Sequence, residues 1–208
     1  MGKEISVPDG DVLIHCGDHT FRGNRSQVEN AIRWIGHQPH KYKVIIAGNH
    51  DFLLQEKPAL VKRFIKRYYP GITYLQDSGV EIDGVKFYGS PWQPWFHDWA
   101  FNFAPGQEGR LQARGVWANI PDDTQVLITH GPPYGVLDAT LQGDNVGCPD
   151  LAFRVAQVRP KLHVFGHIHE SYGSCEVEWP DGRTTRYVNA ATCTRRYRPT
   201  NPAVEIDL

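Results

Sequence analysis

The sequence predicts an α/β fold in one domain of 208 residues, and three observations carry that expectation. Short apolar strands alternate with helical segments through the first seventy or so positions. An Asp83-Gly84 pair then joins two strand-like runs, the strongest short-range hairpin signal there is. Finally, one strand after another ends in a polar residue of the metal-binding kind.

Composition bounds the function. Lys plus Arg is 22 against Asp plus Glu 23, a formal charge of -1, so no broad basic field argues for an extended nucleic-acid surface. A small polyanion would have to bind at a local site. The cysteines Cys16, Cys148, Cys175 and Cys193 make no C-x-x-C pair, as expected of thiols kept reduced in a cytosol. No basic-then-apolar leader and no run of about 18 apolar residues is present, so no membrane partner is expected. The sequence reads as cytoplasmic.

The elements follow in order. "DVLIHCGD" (11 to 18) reads as a buried strand running into a turn, and "SQVENAIRWIGHQ" (26 to 38) as a helix opened by a Ser26/Glu29 capping box. Lys43 to Ala47 is the next strand. "PALVKRFIKRYY" (58 to 69) is a helix with Pro58 in its first turn and basic residues in its last. "ITYL", "GVEI" and "VKFYGS" are strands of a mixed sheet. A helix near 107 to 118 precedes the strand "QVLITH" (125 to 130), and a helix near 149 to 158 precedes "KLHVFGHIH" (161 to 169). "SCEVEW", "TTRYVNA" and "AVEIDL" form a further antiparallel set sharing the same core.

The polar strand ends carry the chemistry. Asp18 in "CGD", Asn49 and His50 in "AGNH", His130 in "THG", and His167 and His169 in "FGHIH" each follow an apolar strand beside a glycine. Strand ends on one edge of a sheet lie close in space, so positions far apart in the chain can converge. The glycines are expected to let the backbone turn without a Cβ in the way. Carboxylate oxygen, amide oxygen and imidazole nitrogen without thiolate suit manganese, iron, zinc or magnesium. A divalent metal ion is the expected cofactor.

In their order, G-D, G-N-H-D, H-G-P-P and G-H-I-H resemble the calcineurin-like metallophosphoesterase superfamily over nearly the whole chain. "PDGDVLIHCGDHT", "KYKVIIAGNHDF" and "THGPPYGVLD" are most similar to its small phosphodiesterase branch, that of the fetal-brain-type metallophosphoesterases and, more distantly, class III cyclic nucleotide phosphodiesterases. The resemblance implies a four-layer double-sheet sandwich flanked by helices, and a two-metal centre hydrolysing phosphoesters. It assigns Asp18 as the bridging carboxylate, with Asn49, His130 and His167 completing the second metal site, and His169 as a ligand of the first. His50 and Asp51 are the catalytic candidates. His50, with Asn49, would face the substrate phosphate, and Asp51 would orient the loop or that imidazole.

One family motif is absent. The strand ending in D-x-H that opens these proteins has no counterpart in "MGKEISVPDG", which looks like a start placed just downstream of it. A missing first strand is expected to leave a sheet neighbour unpaired, which invites a homodimer. The first metal, left with Asp18 and His169, is expected to bind weakly or not at all, since three or more protein ligands are usual. His19 is the nearest stand-in.

The reading is therefore a metal-dependent phosphodiesterase acting on a small phosphoester or nucleotide. Its alternative is a non-catalytic metal- or nucleotide-binding remnant of the same fold. "SPWQPWFHDWAFNF" (90 to 103) either walls a substrate pocket or stacks a base, or else anchors a long loop, and Arg195, Arg196 and Arg198 are possible phosphate holders. His15, His37, His40, His97 and His163 read as ordinary.

Overall fold

The computed structural model describes residues 5–208. Three parallel strands, β1 (Val12–His15), β2 (Tyr42–Ile45) and β3 (Ile72–Tyr74), form a small sheet in that order. Helices α1 (Arg25–Gly36), α2 (Phe52–Glu56) and α3 (Pro58–Tyr68) connect them. The second sheet holds β4 (Ser78–Ile82), β5 (Val85–Ser90), β6 (Val126–Thr129), β7 (Leu162–Phe165), β8 (Gly173–Glu178) and β9 (Thr184–Asn189). Its order is β4-β5-β6-β7-β9-β8, with the outer pairs antiparallel and the inner ones parallel. Helices α4 (Gly106–Trp117) and α5 (Pro149–Val158) follow β5 and β6 in the chain.

Period-two alternation along the strands builds the layers. In β2, Val44 faces the second sheet, packing with Val126, Ile128 and Val164, while Ile45 faces Ile32 and Ile35 of α1 and Val61 and Ile65 of α3. In β6, Val126 and Ile128 point to the first sheet, and Leu127 packs with Trp117 of α4 and Leu151 and Val155 of α5. Strands covered on both faces read as continuous apolar runs, which is why they stand out in the sequence. The result is a double-sheet sandwich with helices outside both sheets.

Several local expectations are corrected. The α1 cap is Asn24, whose side chain accepts from Gln27 N–H at 3.0 Å. Ser26 and Glu29 make no capping box, because the helix starts one residue before Ser26 and Glu29 pairs with Arg25 instead. "AVEIDL" forms no strand: Val204 and Ile206 pack on the core between the sheets without joining a ladder. The β8-β9 pair is no separate set, since β9 runs parallel to β7 in the same sheet. Asp83 and Gly84 do turn the β4-β5 hairpin, both at positive φ (48° and 83°), as a two-residue turn requires.

Of "MGKEISVPDG", the first four residues lie outside the described part, and 5–10 carry no regular structure. Among the described residues, β1 pairs with β2 alone. Its other edge borders a cleft of about 1190 Å³ between the sheets, lined by Val12, Ile14, Phe87, Val164, Val188 and Ile206 among others.

Candidate metal centre

The C-terminal ends of β1, β2, β6 and β7 meet at one rim. Asp18 follows β1 at φ 56°, and Gly17 before it at φ 92°. A Cβ on Gly17 would stand 2.5 Å from the Ala47 carbonyl oxygen, so this turn needs glycine twice over. Gly48 is needed for close approach alone: a Cβ there would lie 2.4 Å from Asp18 Oδ1 and 2.6 Å from His130 Cε1. The same expectation fails at Gly131 and Gly166, where an added Cβ meets ordinary contact or open space. His167 occupies the left-handed region at φ 66°, a conformation that costs an imidazole-bearing residue free energy and concentrates at functional sites.

Four side chains converge. Asn49 Oδ1 lies 2.9 Å from His130 Nε2 and 3.0 Å from His167 Nδ1. His130 Nε2 is also 3.4 Å from Asp18 Oδ1. The ligand atoms of Asp18, His130 and His167 all fall within 4.8 Å of one another. Ligands at right angles around one ion, each about 2.1 Å from it, would stand about 3 Å apart. The observed spacing matches.

The hydrogen bonding sharpens this fit. His130 Nδ1 lies 2.8 Å from the Cys16 carbonyl oxygen, which can only accept, so Nδ1 carries the proton. Nε2 is then the ring nitrogen turned to the site, facing the oxygens of Asn49 and Asp18. A ring nitrogen and two oxygens converging in this way form an arrangement that a cation can satisfy. Burial, followed by the His130 ring, pushes the His167 imidazole down to about 3, keeping it in its neutral, ligating form. Burial works to raise the Asp18 carboxyl, but it is held below its ordinary value, with the His50 N–H donating to its Oδ1 at 3.0 Å.

His50 and Asp51 separate in role. His50 Nδ1–H donates to the Phe21 carbonyl at 2.9 Å, which leaves Nε2 free to face a ligand. Asp51 is fully buried and does not bond the His50 ring. Its Oδ2 accepts from Gly48 N–H (2.8 Å) and His19 N–H (3.2 Å), and its Oδ1 from the Thr20 hydroxyl (2.9 Å). The candidate catalytic carboxylate is thereby a positioning residue: it staples the loop after β1 to the loop after β2. Burial, then the Asp18 charge, raises it to about 6.

His169 stands apart from the compact group. It opens a short 3₁₀ turn (His169–Ser171), and its Nδ1–H donates to the Thr194 carbonyl at 3.1 Å. His19 does not join the group either, spending Nε2–H on the Ile46 carbonyl at 2.6 Å. Sequence reasoning missed His163, read as ordinary. It is buried, and its Nε2 donates at 2.8 Å to Thr129, whose hydroxyl donates at 2.7 Å to the Gly131 carbonyl, fixing the turn that carries His130. The aromatic segment divides in two. Trp92, Phe101 and Phe103 anchor it on the core, Trp92 stacking on Phe103, while Phe96 and Trp99 reach His167 and His50.

Residues 2–171 match the family described as calcineurin-like phosphoesterase. The chain is 43% identical over 227 residues to metallophosphoesterase domain-containing protein 1 of Homo sapiens, covering 98% of this chain and 66% of that protein. It is 38% identical over 201 residues to UPF0046 protein K07C11.7 of Caenorhabditis elegans, covering 92% of this chain and 66% of the relative. The chain thus spans just under two thirds of the length of these relatives. The crystal structure of TT1561 of Thermus thermophilus superposes with a TM-score of 0.59 at 13% identity, over 87% of this chain and 76% of that one, a likeness of fold. On the family match and the identity to its relatives, the chain belongs to the calcineurin-like phosphoesterases.

Proposed function

We propose that this protein is a metal-dependent phosphodiesterase cleaving a small phosphodiester by in-line attack of water, with one divalent cation held by Asp18, Asn49, His130 and His167. The observation that carries the reading is His130 Nε2 facing the Asn49 and Asp18 oxygens at 2.9 and 3.4 Å. A cation bound there supplies Lewis-acid charge, which lowers the pKa of water and polarises phosphoryl oxygen. The protein's own groups do the rest. Asp51 holds the two loops at a fixed separation, so Asp18 and Asn49 keep their places. His50, its ring set by the Phe21 carbonyl, presents Nε2 toward the departing oxygen and, when protonated there, donates to it.

A second reading rests on His169, which lies outside the compact group. A site holding one ion firmly and a second weakly would bind phosphoesters while turning them over slowly, as a non-catalytic remnant does. Hydrolysis of bis(4-nitrophenyl) phosphate and 4-nitrophenyl phosphate with added manganese, alongside calorimetric manganese binding, separates the two. Turnover of the diester that is lost in His50→Ala supports the phosphodiesterase. Tight manganese binding with no turnover of either ester supports the remnant.

A further inference from the structure

Around the candidate metal centre stands a set of aromatic side chains that the core does not use. The Phe21 ring lies 6.0 Å from that of His50 and 6.0 Å from Tyr197. Tyr197 meets His50 at 6.2 Å and His169 at 5.6 Å, edge to face in both pairs. Trp99 packs against His50 at 4.2 Å, and Phe96 meets His167 edge to face at 5.7 Å. Three distant segments therefore bring aromatic rings to the same imidazoles. Phe21, Phe96 and Tyr197 are 55%, 47% and 57% exposed, so apolar burial does not account for their placement.

Tyr197 is held there against its own preference. Its φ of 54° lies in the left-handed region, which is disfavoured for a bulky side chain. The turn is closed by Thr194 N–H on the Arg198 carbonyl (2.9 Å) and by Tyr197 N–H on the Thr194 carbonyl (2.7 Å). The Thr194 carbonyl also accepts from His169, which ties the turn to the site. Strain kept in an exposed aromatic beside converging acceptors points to a ligand rather than to packing.

We propose that Phe21 and Tyr197, with Trp99 behind His50, form a stacking rim that selects phosphoesters whose alcohol arm carries a planar aromatic ring, either a nucleoside or a simple aryl group. This rests on the phosphoester reading above. Because Phe21 and Tyr197 meet edge to face at 81°, the guest ring stacks on an outward face and does not slide between two rings. Recognition by a π-face tolerates any base, so the rim sets the class of arm and leaves its identity open.

The test is calorimetric titration of the manganese-loaded full chain with phenylphosphonate, ethylphosphonate and adenosine 5′-monophosphate. Phenylphosphonate is expected to bind about five- to a hundredfold tighter than ethylphosphonate, the range that base–aromatic stacking spans. Tyr197→Leu and Phe21→Leu should each shrink that ratio, and Tyr197→Phe should keep it, each variant's fold being checked by circular dichroism. Equal gains for the nucleotide and the phenyl compound indicate any flat ring, and a much larger gain for the nucleotide indicates a nucleoside. Equal binding of phenyl- and ethylphosphonate by the wild type overturns the rim alone. Failure of all three to bind overturns the phosphoester reading and the rim with it.

Discussion

Asn49 Oδ1 and His130 Nε2 face each other at 2.9 Å, and the bond from His130 Nδ1–H to the Cys16 carbonyl leaves Nε2 as the ring nitrogen turned to the site. With Asp18 Oδ1 3.4 Å from the same nitrogen, the three atoms can close around one cation. Manganese is therefore expected to raise the thermal midpoint of the wild type, and removing it with a chelator to reverse the effect. At a hundred times the dissociation constant, the stabilisation is about 2.7 kcal/mol. Asn49→Ala and His130→Ala should each weaken manganese binding by about 100-fold or more, read by calorimetry, and abolish the shift.

The glycine beside the site gives a sharper contrast. Gly48→Ala would drive a methyl to 2.4 Å from Asp18 Oδ1, against backbone and ligand atoms that have nowhere to move. It is expected to destabilise the fold by about 1 to 3 kcal/mol and to lose manganese binding. Gly166→Ala, in the same kind of motif, meets nothing within 4 Å and should stay within about 0.5 kcal/mol of wild type. Chemical denaturation of the pair measures both.

Removing the staple should cost more than blunting it. Asp51→Ala strands the buried N–H groups of Gly48 and His19, at about 1 to 3 kcal/mol for each unsatisfied group. Asp51→Asn keeps one acceptor oxygen and is expected to fall between wild type and alanine. As a positioning residue, Asp51 should lower hydrolysis through geometry, so the pH profile of whatever activity survives in Asp51→Asn should keep its shape.

Acid should unfold this protein early. Burial pushes His163 down to about 3, and burial first, with neighbouring rings second, does the same to His15 and His167. His19 is lowered to about 4, chiefly by burial. A depressed imidazole binds its proton less readily when folded, so stability is whole above about 6.5 and lost as pH falls toward 3. Asp51, raised to about 6, works the other way, binding its proton more tightly when folded and adding stability as pH falls through 6. The four imidazoles outweigh this one carboxyl and give a net loss below pH 6.5, to which Asp18, held below its ordinary value, adds at lower pH. His163→Gln, whose amide can still donate to Thr129, should flatten that slope, which denaturation at a series of pH values would show.

Much of this was legible because the signals are local. Asp83-Gly84 fixes its hairpin through turn chemistry alone. The convergence of Asp18, Asn49, His130 and His167 could be read because each follows an apolar strand, those before His130 and His167 being buried throughout. The cap of α1 was missed because Asn24, two residues before Ser26, takes the Gln27 N–H and starts the helix earlier, and spacing does not rank competing starts. "AVEIDL" has the alternation of a strand, yet Val204 and Ile206 find burial without a ladder partner. Asp51's role was half visible: its partners are two backbone N–H groups and a hydroxyl, and only the folded loops reveal them. Of the rim, Trp99 belongs to the aromatic run that the sequence marks, while Phe21 and Tyr197 are lone aromatics in separate turns and leave no pattern.

The most direct test of the shared cation site is a crystal of the protein grown with manganese, with diffraction recorded at the metal's absorption edge. An anomalous peak within bonding distance of Asp18, Asn49, His130 and His167 together is the expected result. Saturating manganese with no peak among those four side chains would contradict it.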